Sequence, residues 1–217
     1  MDRSRRGQVD PFIVMDVLDQ ARALEAQGRS VIHMEIGQPG TGAPAGALAA
    51  LARALPDDPM GYSVALGLPA LRAGIAALYK RWYGVDLDPA RVVVTAGSSG
   101  AFVLAFTALF DAGARVGLGE PGYPSYRQIL RALSLTPVGL PTSLENRLQP
   151  VPADFAGVEL DGLIVASPGN PSGTMLDLAA MRALIEACAA RGISFISDEI
   201  YHGLHYEAPA VSALQVS

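Results

Sequence analysis

The chain of 217 residues has one lysine, Lys80, one cysteine, Cys188, and one tryptophan, Trp82. A single cysteine excludes an intramolecular disulfide, and its setting in Leu184-Ile-Glu-Ala-Cys188 reads as a small core residue. No apolar run reaches the roughly 18 residues of a membrane-spanning helix. The arginine-rich start (Arg3, Arg5, Arg6) has no apolar signal segment behind it and reads as a solvated terminus. Basic charge is scarce too: the net charge of −5 argues against a nucleic-acid binder, which needs a basic face. What is abundant is apolar material. Half the residues are hydrophobic and 17% are charged, enough for a buried core and in keeping with a soluble, cytoplasmic protein.

From about residue 90 the pattern alternates. Val92–Val94, Arg115–Leu118, Leu163–Val165 and Ile193–Ile196 are short apolar runs with the composition of buried strands. Leu135–Leu140 is a further strand, interrupted by Pro137 and therefore expected at a sheet edge. Between them, Ala101–Phe110, Tyr126–Leu133 and Asp177–Ala190 have helical spacing. This rhythm predicts a three-layer α/β/α fold with a mostly parallel sheet. Before residue 90 the spacing predicts helices over Pro11–Ala26, closed by Gly28, over Pro44–Leu55 and over Pro69–Trp82. Lys80 falls near the end of the last of these, the ordinary place for a solvated cation.

Candidate site residues follow the strands. After Val92–Thr95 comes Gly97-Ser-Ser-Gly100 and then a helix. Small residues there let backbone N–H groups approach a phosphate, with hydroxyls from Ser98 and Ser99; the same serines equally suit a helix cap with no ligand. The stretch is not Gly-x-Ser-x-Gly and has no Walker lysine, which removes support for a hydrolase elbow or a nucleotide-binding P-loop. Tyr123 lies between Gly122 and Pro124 just past a strand, suited either to stacking on a planar ring or to ordinary packing. Asn170 sits in Ser167-Pro-Gly-Asn-Pro-Ser-Gly173, where its amide has an external acceptor or closes an Asx turn. Asp198 directly follows a buried strand and requires a partner, either a cationic ligand or a local salt bridge or cap. Tyr201 lies three residues on. Ligand sites in open α/β sheets form outside the carboxyl ends of the strands, where all of these fall.

In order and spacing, Thr95-Ala-Gly-Ser-Ser-Gly-Ala101, Glu120-Pro-Gly-Tyr-Pro-Ser-Tyr126, Ser167–Gly173 and Ser197-Asp-Glu-Ile-Tyr201 resemble fold-type I aminotransferases of class I/II, which use pyridoxal 5′-phosphate (PLP). The resemblance runs from about Val31 to Ser217. It implies that the Ser98 backbone and Ser99 hold the phosphate and that Tyr123 stacks on the pyridine. Asn170 and Tyr201 would hydrogen-bond the ring oxygen, and Asp198 would keep the ring nitrogen protonated. It further implies that Gly37, in Ile36-Gly-Gln-Pro39, lies near the substrate carboxylate together with Asn170. Tyr62 would reach the phosphate of a partner subunit in a homodimer. Residues 1–42 would be an N-terminal segment shared by the small domain and the dimer arm, and 43–217 an incomplete PLP-binding large domain.

Activity by resemblance is transfer of an amino group between an amino acid and a 2-oxo acid. The family's Schiff-base lysine, which follows the Asp-x-x-Tyr segment, has no counterpart here, so the expectation is a fragment inactive alone. No catalytic residue is therefore assigned. A cis peptide is expected between Asn170 and Pro171. The alternatives are a PLP-dependent carbon–sulfur lyase of the same fold and a non-catalytic PLP-binding or interaction protein.

Overall fold

The structure, a computed structural model, describes residues 4–37 and 40–216. It divides into two compact units, residues 11–68 and residues 1–10 with 69–217. The smaller unit holds α1 (Ile13–Glu25) and α2 (Ala45–Ala54). Helix α1 ends as expected: Gly28 takes φ +81°, a left-handed conformation natural only to glycine, while Gly28 and Arg29 donate to the carbonyls of Glu25 and Leu24. The chain that follows is tied back by His33, whose ring nitrogens lie 2.6 Å from Glu35 and 2.9 Å from Glu25. These contacts, Glu35 first, raise the imidazole's pKa.

The larger unit holds α3 (Pro69–Tyr83), α4 (Gly97–Leu109), β1 (Arg115–Glu120), α5 (Pro124–Ala132), β2 (Thr136–Pro141), α6 (Pro152–Phe155), β3 (Gly162–Ala166), α7 (Leu178–Ala190) and β4 (Ser194–Asp198). Asp177 caps α7 by accepting from the Ala180 N–H at 2.8 Å. The four strands pair in parallel in the order β2-β1-β3-β4. The proline-bearing strand β2 is indeed at an edge.

Each face of the sheet carries its own core. Side chains alternate along a strand, so Leu163 and Val165 of β3 point to one side and Ile164 to the other. The first side is filled by Phe155, Met181, Leu184 and Cys188 from α6 and α7. The second is filled by Phe102 and Phe106 of α4 and by Tyr126 and Leu130 of α5. Two glycines let these layers close. A Cβ on Gly117 would sit 2.9 Å from Leu160 and 3.1 Å from Leu163; one on Gly162 would land on the Phe110 ring.

Two expectations need correcting. Residues 92–95 form no strand, because none of the four described strands pairs with them. A strand exists only through its ladder. One of this stretch's acceptors turns to a side chain instead: Arg72 donates to the carbonyl of Val92 (2.9 Å), and also to that of Pro89 just before it (2.7 Å). Val93 stays half exposed. Helix α4 also starts four residues earlier than its apolar spacing indicated, at Gly97.

Gly162→Ala tests the close packing of β3 on Phe110. Forcing a methyl group into that contact should destabilise the larger unit by about 1–3 kcal/mol. The measurement is a lower urea midpoint with an unchanged denaturant slope.

Candidate active site at the carboxyl ends of the strands

Strand order sets where a site can form. The chain passes from β1 outward to β2, then returns to place β3 on the other side of β1. The connections leaving the carboxyl ends of β1 and β3 therefore diverge, opening a crevice between them. Both loops line one small cavity of about 30 Å³ there. Pro121, Gly122 and Tyr123 come from the loop after β1; Gly169 and Asn170 come from the loop after β3. That volume holds a water molecule or two, so a ring-sized ligand belongs at the cavity's mouth.

The crevice groups are joined in two sets. Asn170 donates its amide to the Tyr201 hydroxyl at 3.1 Å, so the amide reaches across to another loop. Two peptides of this loop, Ser167–Pro168 and Asn170–Pro171, are cis, the second as expected. Asp198 closes β4 and accepts from two donors: the Ile200 N–H at 3.1 Å on Oδ1 and the Tyr126 hydroxyl on Oδ2. Among the described residues no lysine, arginine or histidine forms an ion pair with it. Tyr123 meets Tyr126 edge to face, with ring centroids 5.4 Å apart, and Tyr126 in turn packs edge to face on Phe102 of α4.

Tyr126 is the residue that reading the sequence missed. It lay inside a predicted helix, where an aromatic is expected to be core. It is core, at 6% exposed, yet its hydroxyl emerges at the Asp198 carboxylate. The available signal was the spacing Tyr123-x-x-Tyr126, which puts two rings on one side of a helix's first turn. Burial, and then the hydrogen bond to Asp198, push the phenol far above its ordinary pKa, so it stays a neutral donor.

Ser98 and Ser99 lie in the first turn of α4, one turn before Phe102. The N-cap is Ala96, with no side-chain hydrogen bond capping the helix, and Gly97 takes φ +71°. The serines are thus past the cap position, and the N–H groups of this first turn have no side-chain cap. Ser99 is exposed and Ser98 partly so. Among the described residues no hydrogen bond links either serine to Asn170, Asp198 or Tyr201; the connection runs through Phe102 and Tyr126. Tyr62 and Gly37 belong to the smaller unit, where both are exposed; Gln38 and Pro39, the rest of that loop motif, lie outside the described residues.

Lys80 is set apart by its side chain and not by the place of its helix. Its helix is not remote: Tyr79 and Tyr83 of α3 reach Glu199 and His202 just beyond β4. The lysine itself turns away, paired to Asp86 at 2.7 Å with 57% of its side chain exposed.

The phenol of Tyr126 gives a pH test. A raised folded-state pKa stabilises the fold fully below the unfolded phenol value of about 10, and that contribution is lost as pH rises through the folded value. Tyr126→Phe should cost about 1–3 kcal/mol at neutral pH, since the Asp198 Oδ2 loses its donor. The variant's stability should then fall less steeply than wild type between pH 10 and 12, measured by urea unfolding.

Comparison with known proteins agrees with this geometry. The family profile described as aminotransferase class I and II matches residues 29–217. Valine–pyruvate aminotransferase of Mycobacterium tuberculosis is 46% identical over 210 residues, covering 95% of this chain and 54% of that protein. A solved chain from Silicibacter pomeroyi is 67% identical with a TM-score of 0.91, covering all of this chain and 56% of its own length. Aspartate aminotransferase from Thermus thermophilus superposes with a TM-score of 0.93 at 29% identity, again over all of this chain and 58% of that one. The chain spans about half the length of the curated relatives it matches. On this sequence match and this site, the chain belongs to the class I and II aminotransferases, a family dependent on pyridoxal 5′-phosphate.

Proposed function

We propose that this chain carries the cofactor-holding half of an aminotransferase that moves an amino group between an amino acid and a 2-oxo acid. The observation that supports it best is that Tyr123 meets Tyr126, Tyr126 meets Asp198, and Asn170 meets Tyr201, at the carboxyl ends of β1, β3 and β4. The donor set fits PLP. The helix α4 start, free of a side-chain cap, suits a phosphate, received by the Ser98 N–H and the Ser99 hydroxyl with help from the helix dipole. Asn170 and Tyr201 are paired donors for the ring oxygen, and Tyr123 offers its ring for stacking. Gly37 and Asn170 would receive the substrate carboxylate.

When bound, PLP supplies an electron-withdrawing ring that takes up negative charge released at the substrate's α carbon. Asp198 decides whether it can. A carboxylate held against the ring nitrogen keeps a proton on that atom. Tyr126 and the Ile200 N–H fix the orientation of the carboxylate, so no reorganisation is needed as charge develops. Asp198 is then occupied as a counter-charge, and Lys80 is held by Asp86, which leaves these residues without an amine to move the substrate proton.

Residues 1–42 belong in this reading to the small domain and dimer arm, and 43–217 to the large domain. The complete enzyme is a homodimer in which Tyr62 reaches the partner's phosphate, a role suited to a side chain fully exposed within its own unit. A cytoplasmic setting suits a chain whose one cysteine is buried and unpaired.

Two experiments test this. The chain should bind PLP without catalysing transamination. Asp198→Ala should weaken binding roughly tenfold or more, through loss of a charge-assisted contact. Lys80→Ala should change neither binding nor the absence of turnover; turnover by the chain that vanishes in Lys80→Ala would refute the assignment. Light scattering on a protein of the relatives' full length should give a dimer mass, and an active monomer would rule out the shared site.

A further inference from the structure

Beyond the crevice, Tyr83, His202 and the Ser167 carbonyl form a connected line that the proposed chemistry does not use. His202 follows Tyr201 directly, yet its side chain is only 6% exposed. Its Nε2 lies 2.9 Å from the carbonyl oxygen of Ser167, itself fully buried at the start of the Asn170 loop. Its Nδ1 lies 2.5 Å from the hydroxyl of Tyr83 on α3. A carbonyl only accepts, so Nε2 carries the hydrogen. In the neutral ring Nδ1 is then the acceptor and Tyr83 the donor. Burial, and then the charge of Glu199, raise the Tyr83 phenol to about 12, which keeps that donor protonated.

Other contacts hold the same loop. Trp82 packs on Gly203, where a Cβ would meet the indole at 3.1 Å and where φ is +91°. Glu199 accepts from Ser197 (3.0 Å) and from the Ala213 N–H (2.7 Å), with the Tyr79 hydroxyl at 3.5 Å. Glu199 also lies 3.7 Å from His202 Nδ1. The loop after β4 is thereby fixed on α3, and two of its side chains are hydrogen-bonded to the loop after β3: His202 to the Ser167 carbonyl and Tyr201 to the Asn170 amide.

We propose that His202, oriented by Tyr83, is a positioning residue that sets the spacing of Asn170 and Tyr201. It does so by joining the backbone of the Asn170 loop to the residue next to Tyr201. The β3–β4 ladder ends with the Ser167 N–H donating to the Asp198 carbonyl at 3.1 Å; beyond it, without the His202 tie, the two loops would be held together chiefly by the Asn170–Tyr201 hydrogen bond. The proposal rests on those two residues being the ring-oxygen pair of the proposed site.

The test begins without cofactor. The side-chain amide signals of Asn170 in ¹⁵N-labelled chain report the bond to Tyr201. In His202→Phe and in Tyr83→Phe they should shift, and their solvent exchange should quicken by about fivefold, the weight of one such hydrogen bond. His202→Gln, whose amide nitrogen can replace Nε2 towards the Ser167 carbonyl, should restore the wild-type signals. Cys188→Ala, in the core on the α7 side of the sheet, should leave them in place. Circular dichroism checks that each variant is folded; if His202→Phe is not, Tyr83→Phe and His202→Gln decide. Unchanged Asn170 signals in Tyr83→Phe and His202→Phe would overturn the proposal, as would changes in His202→Gln or Cys188→Ala as large as those in His202→Phe. A second arm measures PLP binding, expected to weaken about fivefold in His202→Phe and to recover in His202→Gln. If the wild-type chain bound no PLP while the Asn170 signals behaved as expected, the cofactor reading would fall and the positioning role would stand.

Discussion

A carboxylate at the end of a half-buried strand must be given donors, and in this chain that requirement organises the site. Asp198 ends β4 with its neighbours packed between α3, the sheet and the loop after β3. Leaving either oxygen unpaired there would cost more than any one hydrogen bond returns. One oxygen is satisfied locally, by the Ile200 N–H, which also bends the chain towards Tyr201. The other is satisfied from across the sheet by Tyr126. Tyr126 can serve only because α5 follows β1 directly and packs its first turn against Phe102, so one hydrogen bond joins the α4–α5 layer to the end of β4.

The consequence is a site built from parts with different tolerances. Tyr126 is a core residue as much as a site residue: its ring contributes to the packing of α4 and α5, and its hydroxyl to the electrostatics of the crevice. Ser98 and Ser99 lie in the first turn of α4, the first partly buried and the second exposed. Asn170 and Tyr201 sit on loops, where position is less secure, and it is there that additional fastening is found in His202, Trp82 and Glu199. Electrostatic preorganisation of this kind requires fixed dipoles rather than strong ones.

Motifs at strand ends were legible because each carries its own local chemistry. The proline-framed Asn170 and the carboxylate after Ile193–Ile196 could be placed at carboxyl ends from alternation alone. Their mutual contacts could not. The segment Val92–Thr95 has the composition of a strand and is not one, because pairing is a property of two chains of backbone and β propensity describes only one. Lys80 shows how little a helix position says about a side chain. Its helix does approach the site, and only the direction of the side chain, with Asp86 as partner, keeps it away.

The sequence by itself determined the parallel α/β class, the edge position of the proline-bearing strand, the helix ends at Gly28 and Asp177, and which polar residues end the strands. These follow from periodicity and from the local demands of glycine, proline and capping side chains. Only the tertiary structure decided that Tyr126 serves Asp198, that Asn170 reaches Tyr201, and that Tyr83 and His202 stand behind them. Those pairs lie 72, 31 and 119 residues apart along the chain. Contacts at such separation depend on which strand lies beside which, and no local pattern encodes that order.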